Sequence, residues 1–197
     1  MPLHFAPGPD NGANLVRADL TRLSARGDDA PPPMRSIDLK SVQIQPPHAV
    51  FDLHADEIAQ GGGLETAHGG ATRYLVNAPS GVVAAAEVSI DAKGAAMLAN
   101  INIGPYVAAS AGALEQLALL DSVKTGSFEA RLLRCSAIAV VAIWLKPDRG
   151  NGDIIYPLAP APNFLRAETT YTASEFLSLI RPAAQARIAT TGPTTAP

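Results

Sequence analysis

Asp52, His54, Asp56 and His68 are the side chains whose types most resemble a metal-ligand set. Residues two apart on an extended chain point to the same side, so Asp52 and His54 share a face if residues 50–54 form a strand. Carboxylate oxygen and imidazole nitrogen together suit a divalent transition metal. The spacing matches no structural zinc motif, and two carboxylates with two histidines beside a loop are also what a solvated surface presents. Asp52, His54 and His68 make up the candidate metal set, and with it a metal-dependent enzyme is one reading of the chain.

A second constellation centres on Arg134, which falls on an otherwise apolar strand face. A buried guanidinium needs a carboxylate partner, because an uncompensated charge in the interior costs several kcal/mol, roughly 3–5. Glu87, or Glu129 on the same strand, can serve. The competing reading makes Arg134 an anion-binding residue in a pocket. Asn100, Asn102 and Trp144 are then the other candidate lining residues, expected to share one sheet face with Arg134. Ligand pockets mix apolar walls with a few convergent polar groups in this way.

Other chemistries find no support. Gly61-Gly62-Gly63 and Gly69-Gly70 are glycine-rich, but Ala71-Thr72 follows without the lysine and helix of a phosphate loop. No Gly-x-Ser-x-Gly, Ser-x-x-Lys or paired Cys–His pattern occurs. Cys135 is the lone cysteine and sits in the most apolar segment, so it reads as a small hydrophobe, with no intramolecular disulfide. No catalytic residue is assigned and no cofactor is implied. Tyr156 to Pro162 is a Pro-rich strip that either wraps the domain or presents itself to a partner.

The elements that must position these groups follow from periodicity. Residues 1–35 lack sustained patterning and carry Pro31-Pro32-Pro33, which predicts a mobile arm with a short helix from Ala13 to Leu23. The domain proper is expected over 36–187, and a disordered tail over 188–197. A strand is expected from Ser36 to Ile44 and a short apolar piece at Val50 to Leu53. Val82, Ala84, Ala86, Val88 and Ile90 alternate with polar residues, as on a half-buried antiparallel strand. Asp91 to Gly94 suits a hairpin turn, and residues 95–103 return. Pro105 opens a helix with Val107, Ala111, Leu114 and Leu117 on one stripe. Phe128 to Lys146 reads as one long central strand, bent near residues 134–137. Thr172 and Glu175 form a capping box for a last helix that Pro182 should stop or kink. The order from residue 73 is β-β-β-α-β-β-α. It predicts an α+β domain with an antiparallel sheet of about five or six strands and two main helices, mainly on one face.

The totals bound the function class. The chain has 197 residues, 17% of them charged, 5% aromatic, and a net charge of -3. That balance argues against nucleic-acid binding through phosphate neutralisation. The longest apolar stretch, Cys135 to Leu145, is far short of the ~20 residues that span a bilayer. The first fifteen residues lack the basic and apolar regions of a signal peptide. A bacterial-type cytoplasm is the expected setting. With a lightly charged surface and exposed sheet edges, the expectation is a non-enzymatic module that binds itself or another protein.

Overall fold

A computed structural model describes residues 2–35, 37–150 and 152–191. Along them run β1 (Leu3–Phe5), α1 (Gly12–Ser24), α2 (Pro32–Arg35), β2 (Gln43–Ile44), β3 (His48–Asp52), α3 (Ala55–Ala59), β4 (His68–Ala78), β5 (Gly81–Ile90), β6 (Ala96–Asn102), α4 (Pro105–Ala118), α5 (Asp121–Thr125), β7 (Phe128–Cys135), β8 (Val140–Pro147), β9 (Ile154–Pro157), β10 (Tyr171–Thr172) and α6 (Ala173–Thr191). The class is α+β, as expected, but the sheet has ten strands and is mixed. Its order is β10-β9-β8-β7-β3-β4-β5-β6, with β1 also beside β7 and β2 beside β4. β1 and β3 both run parallel to β7, and the remaining pairs are antiparallel. The short Val50–Leu53 piece therefore becomes a central strand. Both its faces are covered, so it lacks the alternation by which an antiparallel strand announces itself.

Helices cover both faces, and the two main helices expected on one side lie on opposite sides. Val16, Leu20 and Met34 of α1 and α2 pack on Val76, Ala84, Ala86 and Val88. On that same face Ile58 of α3 and Phe176, Ile180 and Ala184 of α6 pack on Leu133, Cys135, Ala142 and Trp144. The opposite face carries Ala113 and Leu117 of α4 against Val50, Leu132, Ile143 and Leu145. β5 is thus buried on both sides: Ala85 and Glu87 lie under α4, and the strand is not half-solvated.

The expected strand from Phe128 to Lys146 is a hairpin. Ser136–Ile138 turn the chain, and Ala139 takes a left-handed conformation at φ 54°. The turn carries no Gly, Pro, Asn or Asp, so nothing in its chemistry interrupts the apolar pattern. Its consequence is a change of phase: Arg134 pairs with Val141 and Leu133 with Ala142, so even positions of β7 share a face with odd positions of β8. α6 runs through Pro182 without stopping, because Phe176, Ile180 and Ala184 are all fully buried and their packing outweighs one lost backbone bond. Its start is as expected: the Glu175 carboxylate accepts from the Thr172 amide at 2.9 Å, and the Glu175 amide donates back to the threonine hydroxyl at 3.3 Å. Helix persists over residues 188–191, and residues 192–197 of the expected tail lie outside the described residues. Of the expected strand from Ser36 to Ile44, only Gln43–Ile44 is strand. Ile37 and Leu39 still pack against the α1 side of the core, and Ser36 lies outside the described residues.

Residues 3–35, where an arm is expected, supply β1, α1 and α2, with Val16, Leu20 and Met34 buried. The docking is close: a Cβ on Gly12 would collide with the Tyr74 hydroxyl, and Tyr74 is only 3% exposed. This gives a test with opposite signs. In a free helix Gly12→Ala stabilises by about 1 kcal/mol, whereas in the docked helix it destabilises. Urea unfolding of the variant is expected to show a lowered midpoint.

Candidate functional site

The registers of four adjacent strands bring a row of charges together under α4. Asp52 on β3 lies opposite Arg134 on β7, His48 on β3 opposite Arg73 on β4, and Arg73 opposite Glu87 on β5. Cross-strand partners point to the same face, so all five groups face α4. Arg134 grips Asp52 bidentately, Nε to Oδ1 at 2.8 Å and Nη2 to Oδ2 at 3.0 Å. Its Nη1 donates to Glu87 Oε2 at 2.9 Å. Glu87 accepts in turn from Arg73 Nη1 at 3.2 Å. Glu87 and Arg73 are buried, while Arg134 and Asp52 are partly exposed.

Burial opposes the charge on Arg134, but the hydrogen bonds and charges of Asp52 and Glu87 outweigh it and raise its pKa. Arg73 shifts the other way. Burial lowers its pKa, Glu87 offsets part of that, and Arg134 adds repulsion. A guanidinium does not give up its proton under these conditions, so Arg73 stays charged in an environment that solvates it poorly. Its Nε and Nη2 are fully buried with no hydrogen-bond partner among the described residues, and so are both ring nitrogens of His48. Burial, then the charge of Arg73, push His48 down to a pKa of about 3.

A cavity of about 190 Å3 opens over this row, lined by Arg73, Arg134, Asn102, Gly104, Tyr106 and Val141 among others. Gly104 is the N-cap of α4 and Pro105 its first residue, with no side-chain cap. The positive end of that helix adds to the two guanidinium groups.

Of the expected pocket residues, Arg134 and Asn102 line this cavity. Exposed Asn100 sits beside it and donates to Asn102 Oδ1 at 3.2 Å. Trp144 is on the other sheet face, moved there by the phase change at the β7–β8 turn. It packs edge-on against Phe51, stacks on the Arg131 guanidinium, and donates to Asp153 at 2.6 Å. Glu87 pairs with Arg134, and Glu129 pairs instead with Arg131 at 2.8 Å. Sequence reasoning missed Arg73 and His48. Counting back from the Ala78–Gly81 pair sets residue 73 opposite residue 86, and only the register shift between Val76 and Asn77 moves it opposite Glu87, so no local signal placed Arg73.

The expected metal residues divide. Asp52 is held by Arg134. His54 and His68 come together, with ring centroids 4.6 Å apart and planes 29° apart. The group that joins them is Glu57, whose carboxylate oxygens lie 2.9 and 3.1 Å from His68 Nε2. Its spacing of three from His54 is the sequence signal for it. Asp56 lines a separate cavity of about 270 Å3 with Asp52 and His54. Burial pushes the Cys135 thiol up to about 11, which suits an inert core residue. A cavity of about 1120 Å3 is an open groove between α5 and the strands β9 and β10. Two pairs of its polar groups already bond to one another, Ser127 with Asp148 at 2.6 Å and Thr172 with Glu175 at 2.8 Å.

His48 ties stability to pH. The unfolded chain takes up a proton near pH 6.5, whereas folded His48 stays neutral down to about pH 3. Its contribution is therefore intact above pH 6.5 and is lost as pH falls from there toward 3, at up to about 1.4 kcal/mol per pH unit. His48→Leu removes that slope, and urea unfolding of both proteins between pH 7 and pH 4 is expected to show a flatter line for the variant.

Comparison with protein-family models, curated proteins and solved structures finds no match to this chain.

Proposed function

We propose that the domain binds a small carboxylate, or a similar oxyanion, in the cavity beneath the start of α4. One observation carries the reading. Arg73 borders that cavity, is only 3% exposed, and keeps Nε and Nη2 without a partner among the described residues. Those two donors form one edge of the guanidinium and match the two oxygens of a carboxylate. Leaving buried donors unpaired costs about 1–3 kcal/mol per group, and more for a charged one. Both atoms lie out of solvent contact, so a small turn of the Arg73 side chain brings this edge to the cavity, where a bound oxyanion recovers that energy. The remaining edge stays with Glu87, and Asp52 holds Arg134 in place. A volume near 190 Å3 falls below the roughly 300–1,000 Å3 of drug-sized sites, which limits the ligand to a few heavy atoms.

Thermal unfolding in sodium acetate, sulfate or phosphate, at the ionic strength of a sodium chloride control, tests this. A saturable rise in Tm of several degrees is expected for at least one anion, since ligand at 100 times its Kd adds about 2.7 kcal/mol. Arg73→Gln should abolish the rise and Asn102→Leu should weaken it. Equal behaviour of all salts and chloride, or an undiminished rise in Arg73→Gln, refutes the proposal.

A second reading, self-association, draws on the free sheet edge. β6 ends the sheet, and beside it Ile90 is 54% and Met97 51% exposed. An edge strand with adjacent apolar side chains is a pairing surface for another strand, and an edge lysine blocks it. Light scattering on the wild type should then show a dimer that Met97→Lys converts to monomer; a wild-type monomer removes this reading. Among the described residues no helix is long and apolar enough to cross a membrane.

A further inference from the structure

We infer that His54, Glu57 and His68 form a binding site for a divalent first-row transition metal, separate from the oxyanion cavity. One ligand atom from each lies within 4.8 Å of the others. Tetrahedral zinc with bonds of about 2.0–2.1 Å holds its ligand atoms roughly 3.3–3.4 Å apart. Binding therefore requires the three side chains to draw together by up to about 1.4 Å.

The backbone beneath the site is already fixed. His54 sits at the junction of β3 and α3, and Glu57 follows one turn later within α3. His68 begins β4, where it pairs across the ladder with Asp52. α3 is in turn clamped to α6: Arg181 Nε donates to the Ile58 carbonyl at 3.1 Å, and Gln185 Nε2 to the Ala59 carbonyl at 3.3 Å. The His54 side chain is available, since it does not cap α3 and stacks on His68 instead.

Imidazole nitrogen with one carboxylate oxygen suits Zn2+, Fe2+, Co2+ or Ni2+, not Ca2+ or Mg2+, which want oxygen alone. Three protein ligands leave a coordination position for water or a ligand atom, as in catalytic and not in closed structural zinc sites. The cavity of about 270 Å3 bordering His54 gives small molecules room to approach. Asp52 is not part of the set, because Arg134 holds both of its oxygens.

The test uses the full chain stripped with EDTA and titrated with ZnCl2 against a chromophoric chelator, with CoCl2 absorbance as a second readout. One Zn2+ per chain is expected, with cobalt d–d bands in the visible. His54→Ala, His68→Ala and Glu57→Gln should each weaken zinc binding by ~10-fold or more. All three residues are at least partly exposed, so these variants keep the fold, which circular dichroism verifies. His4→Ala, at a histidine paired with Asp148 on β1, should bind like the wild type. Absence of stoichiometric binding, or variants that bind zinc as tightly as the wild type, overturns the inference. Arg73→Gln should leave zinc binding unchanged, so this site and the oxyanion site stand or fall separately.

Discussion

Arg134 holds Asp52 of β3 and Glu87 of β5 at the same time, while Glu87 also holds Arg73 of β4. Four strands that are distant in sequence are thereby tied in one register. A slip of one residue in any of them would turn its charged group to the other face and leave an uncompensated ion under α4 or among the apolar residues beneath α1, α2 and α6. Apolar contacts in this alanine-rich interior are individually small and tolerant of sliding. The ionic row therefore specifies the alignment more than it adds to total stability. That fits the general finding that buried ion pairs are weak sources of net free energy but are costly to break.

Balance within the row is incomplete. Arg134 is saturated by two carboxylates, whereas Arg73 receives a share of one and keeps a free edge in a dry setting. Neutral His48 next to it supplies no charge and finds no partner for either nitrogen. Natural interiors satisfy nearly all buried polar groups. A concentration of four unsatisfied atoms on two neighbouring residues, one of which borders a cavity, is thus an informative departure from ordinary packing among the described residues. The metal-ligand cluster follows a different logic. It lies at the surface, where water solvates each group, and its interest comes from convergence and not from strain. Asp52 pairs across the ladder with His68 and by its side chain with Arg134, so one short strand positions both constellations.

What could be read in advance was local. Alternation from Val82 to Ile103 marked a real hairpin, Pro105 marked the start of α4, and Thr172 with Glu175 marked the start of α6. Arg134 stood out because a guanidinium interrupts an apolar run, and Glu87 was recognisable as an acid able to meet it. His54 and His68 were recognisable by type alone. The turn at Ser136–Ala139 was hidden because its residues are small or apolar, and missing it put Trp144 on the wrong face. β3 was hidden for a related reason: a strand covered on both sides has no period-two contrast.

The sequence by itself determined where strands and helices begin wherever side chains alternate or cap, because those signals act between residues a few positions apart. It also determined which residues could carry charge or bind metal. Tertiary structure alone decided which of them meet. Arg73 faces Glu87 and Asp52 faces Arg134 only through strand register, and Glu57 joins two histidines only through the path of β3, α3 and β4. Such meetings depend on long-range pairing and on the phase of each turn. One residue more or less in a connection inverts every face downstream, and no local pattern records that parity.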